Sequence, residues 1–155
     1  MTDVRCCAAA VAQMRGRGHE LEDADLPYTA AGISLVIHPH NPHTPTVHLN
    51  YRYFEVQTAQ GPVAWFGGGA DLTPAYVYEE DAEHFHKQLK WACDRHNGEF
   101  YSTFKKNADE YFLIPHRQER RGVGGIFFDD MEGPDLEAAF RFVQCAIPAF
   151  LIACR

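Results

Sequence analysis

Hydrophobic and polar residues change period twice along this chain. From Gly32 to His38 they alternate: Ile33, Leu35 and Ile37 share one face of an extended segment, while Ser34, Val36 and His38 share the other. Residues 39–45, PHNPHTP, carry three prolines and predict a loop. Thr46 to Val56 is β-branched and aromatic and predicts a second strand, with Val47, Leu49, Tyr51 and Tyr53 on one side and His48, Asn50 and Arg52 on the other. A turn over Gln57 to Gly61 leads to a third strand, Val63 to Phe66, ending at Gly67-Gly68-Gly69. The period then becomes helical. Glu79 to His96 places Ala82, Phe85, Leu89, Ala92 and Cys93 on one stripe, with Glu79, Glu80 and Asp81 at the favourable end of the helix dipole. Phe100 to Phe112 predicts a second helix, Arg117 to Arg121 a basic loop and Gly122 to Phe128 a strand. A third helix starts near Pro134 and runs through Val143, with Pro148 breaking or kinking it. A short helix over Ala8 to Met14 precedes all this, followed by a loose polar stretch to Leu26. The short links between strands favour antiparallel pairing, and the order of elements predicts an α+β sandwich rather than a doubly wound parallel fold.

If the first two strands form a hairpin with His38 opposite His48, their polar faces coincide. One side then carries Ser34, His38, His48, Asn50 and Arg52, and the other Ile33, Leu35, Ile37, Leu49 and Tyr51. Such a polar face is either solvated surface or the lining of a pocket. The three glycines and Asp71 beyond them admit two readings: a flexible strand-to-helix corner, or a place where a ligand approaches the backbone closely. They match neither a GxGxxG nor a P-loop pattern.

Composition narrows the classes. The 155 residues fit one domain, and 11 Phe, 7 Tyr and 2 Trp provide for a core. A formal net charge of −7 argues against nucleic-acid and anionic-membrane partners. No run approaches the ~20 apolar residues of a spanning helix, so no integral membrane segment is expected. Cys6, Cys7, Cys93, Cys145 and Cys154 form no CxxC pair, and a reducing, cytoplasmic setting is the default. The nine histidines show no HExxH signature. His86 falls on the inner stripe of its helix and His84 outward, so His86 is either a hydrogen-bonded core residue or a ligand. His116, Arg117, Arg120 and Arg121 form the densest basic cluster, suited to a small anion or, more plainly, a solvated loop paired with Glu119.

Taken together, the strings GISLVIHPHNPHTPTVHLNYRYFEV (32–56), WFGGGADLTP (65–74), EEDAEHFHKQLKWACDRH (79–96), FKKNADEYF (104–112), HRQERRGVGGIFFDD (116–130) and FRFVQ (140–144) resemble the oxygen-dependent coproporphyrinogen III oxidase family, in order and spacing. The resemblance covers residues 26 to about 144. It implies a large antiparallel sheet flanked by helices on both sides and a homodimer. It also implies oxidative decarboxylation of two propionates of coproporphyrinogen III to vinyls in haem biosynthesis, giving protoporphyrinogen IX. Oxygen is the oxidant, carbon dioxide and hydrogen peroxide leave, and no cofactor is required beyond O2. By the same resemblance His48 is the proton donor, and Asp71 holds the pyrrole N–H groups and assists deprotonation. Ser34, Asn50, Tyr51, Arg52, Arg117 and Arg121 bind substrate. A divalent metal at His38, His48, His86 and His116 is an option the family leaves open, the metal-free reading being preferred. Residues 1–25 lack the family's strings, so 1–25 is set apart as a divergent segment and 26–155 as a partial domain. The chain also ends in a shortened helix, without the family's later strings, and is expected to be inactive or nearly so alone. Two alternatives accompany the oxidase: an inactive tetrapyrrole-binding remnant, and a non-enzymatic His-rich metal-binding domain.

Overall fold

The computed structural model describes residues 26–132 and 136–154. The helix expected over Ala8 to Met14, and Pro134 at the start of the third helix, lie outside them. Within them the chain runs β1 (Tyr28–Ile37), β2 (Thr46–Thr58), β3 (Gly61–Thr73), α1 (Glu79–Asp94), α2 (Phe100–Tyr111), β4 (Leu113–Ile114), β5 (Glu119–Arg120), β6 (Gly125–Met131) and α3 (Leu136–Ala153). The main sheet is antiparallel in the order β1-β2-β3-β6, and β4 and β5 form a separate two-stranded hairpin. This is the α+β class expected from the pattern.

Alternation decides which side of the sheet is covered. Val47, Leu49, Tyr51, Ala70, Leu72, Ile126 and Phe128 point to one side. There they pack with Phe85, Leu89 and Cys93 of α1, Phe104 of α2 and Phe142, Ala146 and Phe150 of α3 in a single core. Among the described residues the helices lie on this face only, so the expected flanking on both sides is met on one.

The loop expected over Arg117 to Arg121 includes β5, the strand expected over Gly122 to Phe128 runs Gly125–Met131, and three larger differences from the pattern reading stand beside these. The β1–β2 register sets Val36 opposite His48, Ser34 opposite Asn50 and Gly32 opposite Arg52, two residues away from a His38–His48 pairing. A slip of two keeps the same side chains on the same face, so the predicted polar face survives. Second, β3 does not end at the glycines but runs through them to Thr73, paired on both sides by β2 and β6. The flexible corner is therefore a strand interior: glycine disfavours a strand by propensity, but two flanking ladders hold it there. Third, α3 continues through Pro148 to Ala153. Phe150 and Ala153, beyond the proline, are buried against the core and keep the last turn in place. The full 18 residues are long and apolar enough to span a membrane by length and composition. That corrects the expectation that no stretch comes near this. Its inner stripe, Ala139, Phe142, Val143, Ala146, Ala149 and Phe150, is buried in this domain.

Candidate functional site

The opposite face of the sheet is laid out by the same registers. Directly opposed residues on antiparallel strands share a side. One row across the sheet reads Val36, His48, Asp71, Gly125; the next reads Ser34, Asn50, Gly69, Phe127. A third begins Gly32, Arg52, Gly67, and Asp129 of β6 reaches it across a register shift. Beyond Arg52 the face turns apolar, with Phe54 and Trp65 opposed and their rings 4.8 Å apart.

Asp71 is the chemical centre. It is the buried charged residue of the described core, 2 % exposed. One carboxylate oxygen accepts from His48 Nδ1 at 2.6 Å and the other from Arg121 NH2 at 2.9 Å. Because a carboxylate only accepts, the His48 proton sits on Nδ1 and Nε2 is the nitrogen left for a ligand. Arg121 is held from a second side: its guanidinium carbon lies 4.3 Å from the centre of the Phe112 ring, and its backbone N–H donates to the Phe112 carbonyl at 3.0 Å. Sequence patterning gave no signal for Phe112, which is fixed only by this packing.

Arg52 lies one row beyond Asn50 along β2, with His48 one row before it. It donates to Asn50 Oδ1 at 3.0 Å and pairs with Asp129 Oδ2 at 3.1 Å. Asp129 was not singled out from the sequence, because nothing in FFDD announces the irregular pairing that carries it here. Ser34 is exposed on the same face, opposite Asn50. These residues, His48, Asn50, Arg52, Asp71 and Arg121 with Ser34, are brought together.

Others of the expected set are not. Tyr51 faces the core, 2 % exposed, with its ring against Phe128 and its hydroxyl lacking a hydrogen-bond partner. Burial pushes its phenol well above the ordinary range. Its side chain cannot reach a ligand on the polar face, since adjacent residues of a strand point to opposite sides. Arg117 pairs with Glu119 at 3.1 Å on the β4–β5 turn and is well exposed, so the basic cluster divides and only Arg121 joins Asp71. Arg120 donates instead to the Asp109 carbonyl at 2.9 Å.

The four histidines of the metal option do not fit one ion. No group of three or more His, Cys, Asp or Glu converges among the described residues. His38 follows the end of β1, and His116 sits in the β4–β5 turn. His86 has both ring nitrogens engaged, Nε2 donating to the Val123 carbonyl at 2.9 Å and Nδ1 accepting from Tyr101 at 3.1 Å. Burial lowers its pKa below the ordinary histidine value. It is thus the hydrogen-bonded interior histidine.

A sheet with one helix-covered face and one open face, the open face built around the buried Asp71, the part-exposed His48 and two arginines, is an arrangement suited to holding an anion. Residues 3–154 match the family model for coproporphyrinogen III oxidase, and the chain belongs to that family. The match reaches into the first 25 residues, set apart above for lacking family strings. The chain is 60% identical over 149 residues to the oxygen-dependent coproporphyrinogen-III oxidase of Drosophila melanogaster, covering 92% of this chain and 38% of the relative. Against the mitochondrial enzyme of Homo sapiens it is 57% identical over 149 residues, 92% of this chain and 33% of the relative. Against the chloroplastic enzyme of Glycine max it is 55% identical over 135 residues, 81% of this chain and 35% of the relative. The chain therefore spans about a third of the length of these relatives. Two of these three names carry an organelle, so a purely cytoplasmic setting does not extend from the cysteine argument to these relatives.

Proposed function

We propose that this chain supplies the substrate-bearing sheet of an oxygen-dependent coproporphyrinogen III oxidase. For each propionate, the side chain and O2 become a vinyl group, CO2 and H2O2. Two electrons and two hydrogens pass from the side chain to oxygen as the carboxyl–carbon bond breaks. O2 is the only co-substrate, and a homodimer is the assembly carried by the same reading. The observation that carries the proposal is the Asp71–His48 pair at 2.6 Å on an open face shared with Arg52.

Arg52 and Arg121 supply guanidinium donors for propionates, and Ser34 and Asn50 line the floor between them. Placement changes the division of labour between Asp71 and His48. Asp71, sealed beneath the face with both oxygens engaged, is a positioning residue that fixes the tautomer and aim of His48. His48 Nε2 is the proton-handling atom presented to the macrocycle, where the role expected for Asp71 had been direct contact with the pyrroles.

The test is oxygen uptake and vinyl formation with coproporphyrinogen III, using the longest polypeptide the source gene encodes. Activity is expected there, and absence of turnover with retained porphyrin binding would favour the inactive-remnant reading. Asp71→Asn is expected to keep substrate binding and lower turnover by roughly 10²-fold, the scale of a mis-set general acid–base group. Unchanged turnover would remove Asp71 from the mechanism.

A further inference from the structure

The two Arg–Asp pairs of the open face are built differently. Asp71 is sealed between two partners, whereas the side chains of Asp129 and Arg52 are 31% and 42% exposed. Yet the exposed pair is assembled with more apparatus. β2 and β6 are not neighbours, since β3 runs between them. Strands two apart are about 9–10 Å apart, so the two side chains have to meet over the top of β3. At the crossing β3 carries Gly67. A Cβ there would lie 2.4 Å from Asp129 Oδ1 and 3.2 Å from Arg52 Nε. The β3–β6 register shifts at this point, between Phe66 and Gly68. Asp130, next along, has φ of +60°, the left-handed region that Asp and Asn enter more readily than other side chains. In that conformation the Asp130 backbone N–H donates to Asp129 Oδ1 at 3.1 Å and fixes the carboxylate. A glycine, a register shift and a left-handed residue all serve one contact.

We infer that Asp129 is an internal stand-in for a ligand carboxylate: it holds Arg52 while the face is empty and gives way when a ligand carboxylate arrives. An ion pair between half-exposed side chains contributes little and exchanges readily. A two-point carboxylate–guanidinium contact from a bound ligand is stronger. Arg52 keeps its bond to Asn50 meanwhile, so the guanidinium stays aimed while Asp129 leaves. A tethered carboxylate competes at high effective concentration. Monocarboxylates free in solution lose to it, and a polycarboxylate anchored elsewhere on the face wins. Asp129 is thus a specificity-determining residue. The identity of the ligand as a tetracarboxylate rests on the function proposed above; the displacement itself does not.

Asp129→Asn tests this with little disturbance, because it keeps the volume and the Oδ1 acceptor for Asp130 and removes only the charge. Two measurements on the whole 155-residue chain separate the layers. In fluorescence titrations, coproporphyrin III is expected to bind D129N several-fold more tightly than the parent, with its uncharged tetramethyl ester unaffected. In phenylglyoxal modification read by peptide mass spectrometry, Arg52 is expected to react several-fold faster in D129N, and the monocarboxylate propionate is expected to slow that reaction in D129N but not in the parent. The inference is overturned if D129N weakens tetracarboxylate binding as Arg52→Ala does, or if Arg52 reacts equally fast in both proteins. If neither protein binds either porphyrin, the proposed substrate is wrong, while fast, propionate-sensitive modification of Arg52 in D129N still supports the displacement.

Discussion

The two faces of one sheet, written in alternating letters of the same strands, obey opposite rules. On the helix side Leu49, Tyr51, Ala70, Ile126 and Phe128 are buried against α1, α2 and α3, and their chemistry is silenced. Burial first, and then the neighbouring Asp94 and Cys145, push the Cys93 thiol up to about 12, an inert value for a group that would otherwise be nucleophilic. One residue along each strand, His48, Asn50, Arg52 and Asp129 stay reachable in charged and hydrogen-bonded pairs, with the sealed Asp71 holding His48 from beneath. Stability is thus concentrated on one face and chemistry on the other, and a substitution is read first by its parity in the strand.

The strongest test of that division removes Phe142. Its ring is fully buried and lies within 6 Å of the rings of Phe100, Phe104 and Phe128. Phe142→Ala is expected to destabilise the fold by about 3–5 kcal/mol through lost transfer energy and the cavity left behind. Chemical denaturation measures this, and a loss below about 1 kcal/mol would mean the core tolerates collapse there. The mirror experiment is Arg52→Ala on the open face. Exposed ion pairs contribute about 0–1 kcal/mol, so stability should barely move. Carboxylate binding should fall by about 2–3 kcal/mol, the scale of charged hydrogen bonds. An equal loss of binding at exposed Lys87 would show that bulk charge, not this site, does the work.

What sequence alone could reach follows from the same parity. The polar face of β1 and β2 was legible because alternation survives an even slip in register, although a symmetric loop put the pairing two residues out. The helical stripe of α1 was legible too: Phe85, Leu89, Ala92 and Cys93 are buried as expected, and Ala82 in the first turn is partly so. Illegible were features imposed by neighbours in space. Glycines read as a corner became a strand interior because β2 and β6 flank them. Pro148 did not end α3 because residues past it still have a core to enter. Tyr51 shows the opposite error: alternation placed it inward, and the family resemblance drew it into the site against that signal. Asp129 depends on a register shift that no local pattern encodes.

A smaller effect is expected where the two regimes meet at the rim of the helix side. His96 is exposed beyond the end of α1, yet its ring stands edge-on to Phe142 at 5.7 Å. Its pKa is lowered from the ordinary 6.5, first by desolvation and then by the positive charges of Arg95 and Arg141. Those arginines have other company: Arg95 lies over the Trp91 ring at 4.9 Å, and Arg141 is 3.7 Å from Glu137. The sign follows from linkage. A histidine whose folded pKa is depressed takes up its proton more readily when unfolded, so its contribution is fully present above about pH 6.5 and is lost as pH falls through the lower folded value. Melting temperature should therefore decline on acidification below about pH 6.5, and His96→Gln should flatten part of that decline. The ring titration followed by NMR should give a midpoint below 6.5, moving back toward 6.5 in Phe142→Ala as the rim opens to water. A midpoint at or above 6.5 in the parent protein would show that the helix face does not extend its dry environment as far as His96.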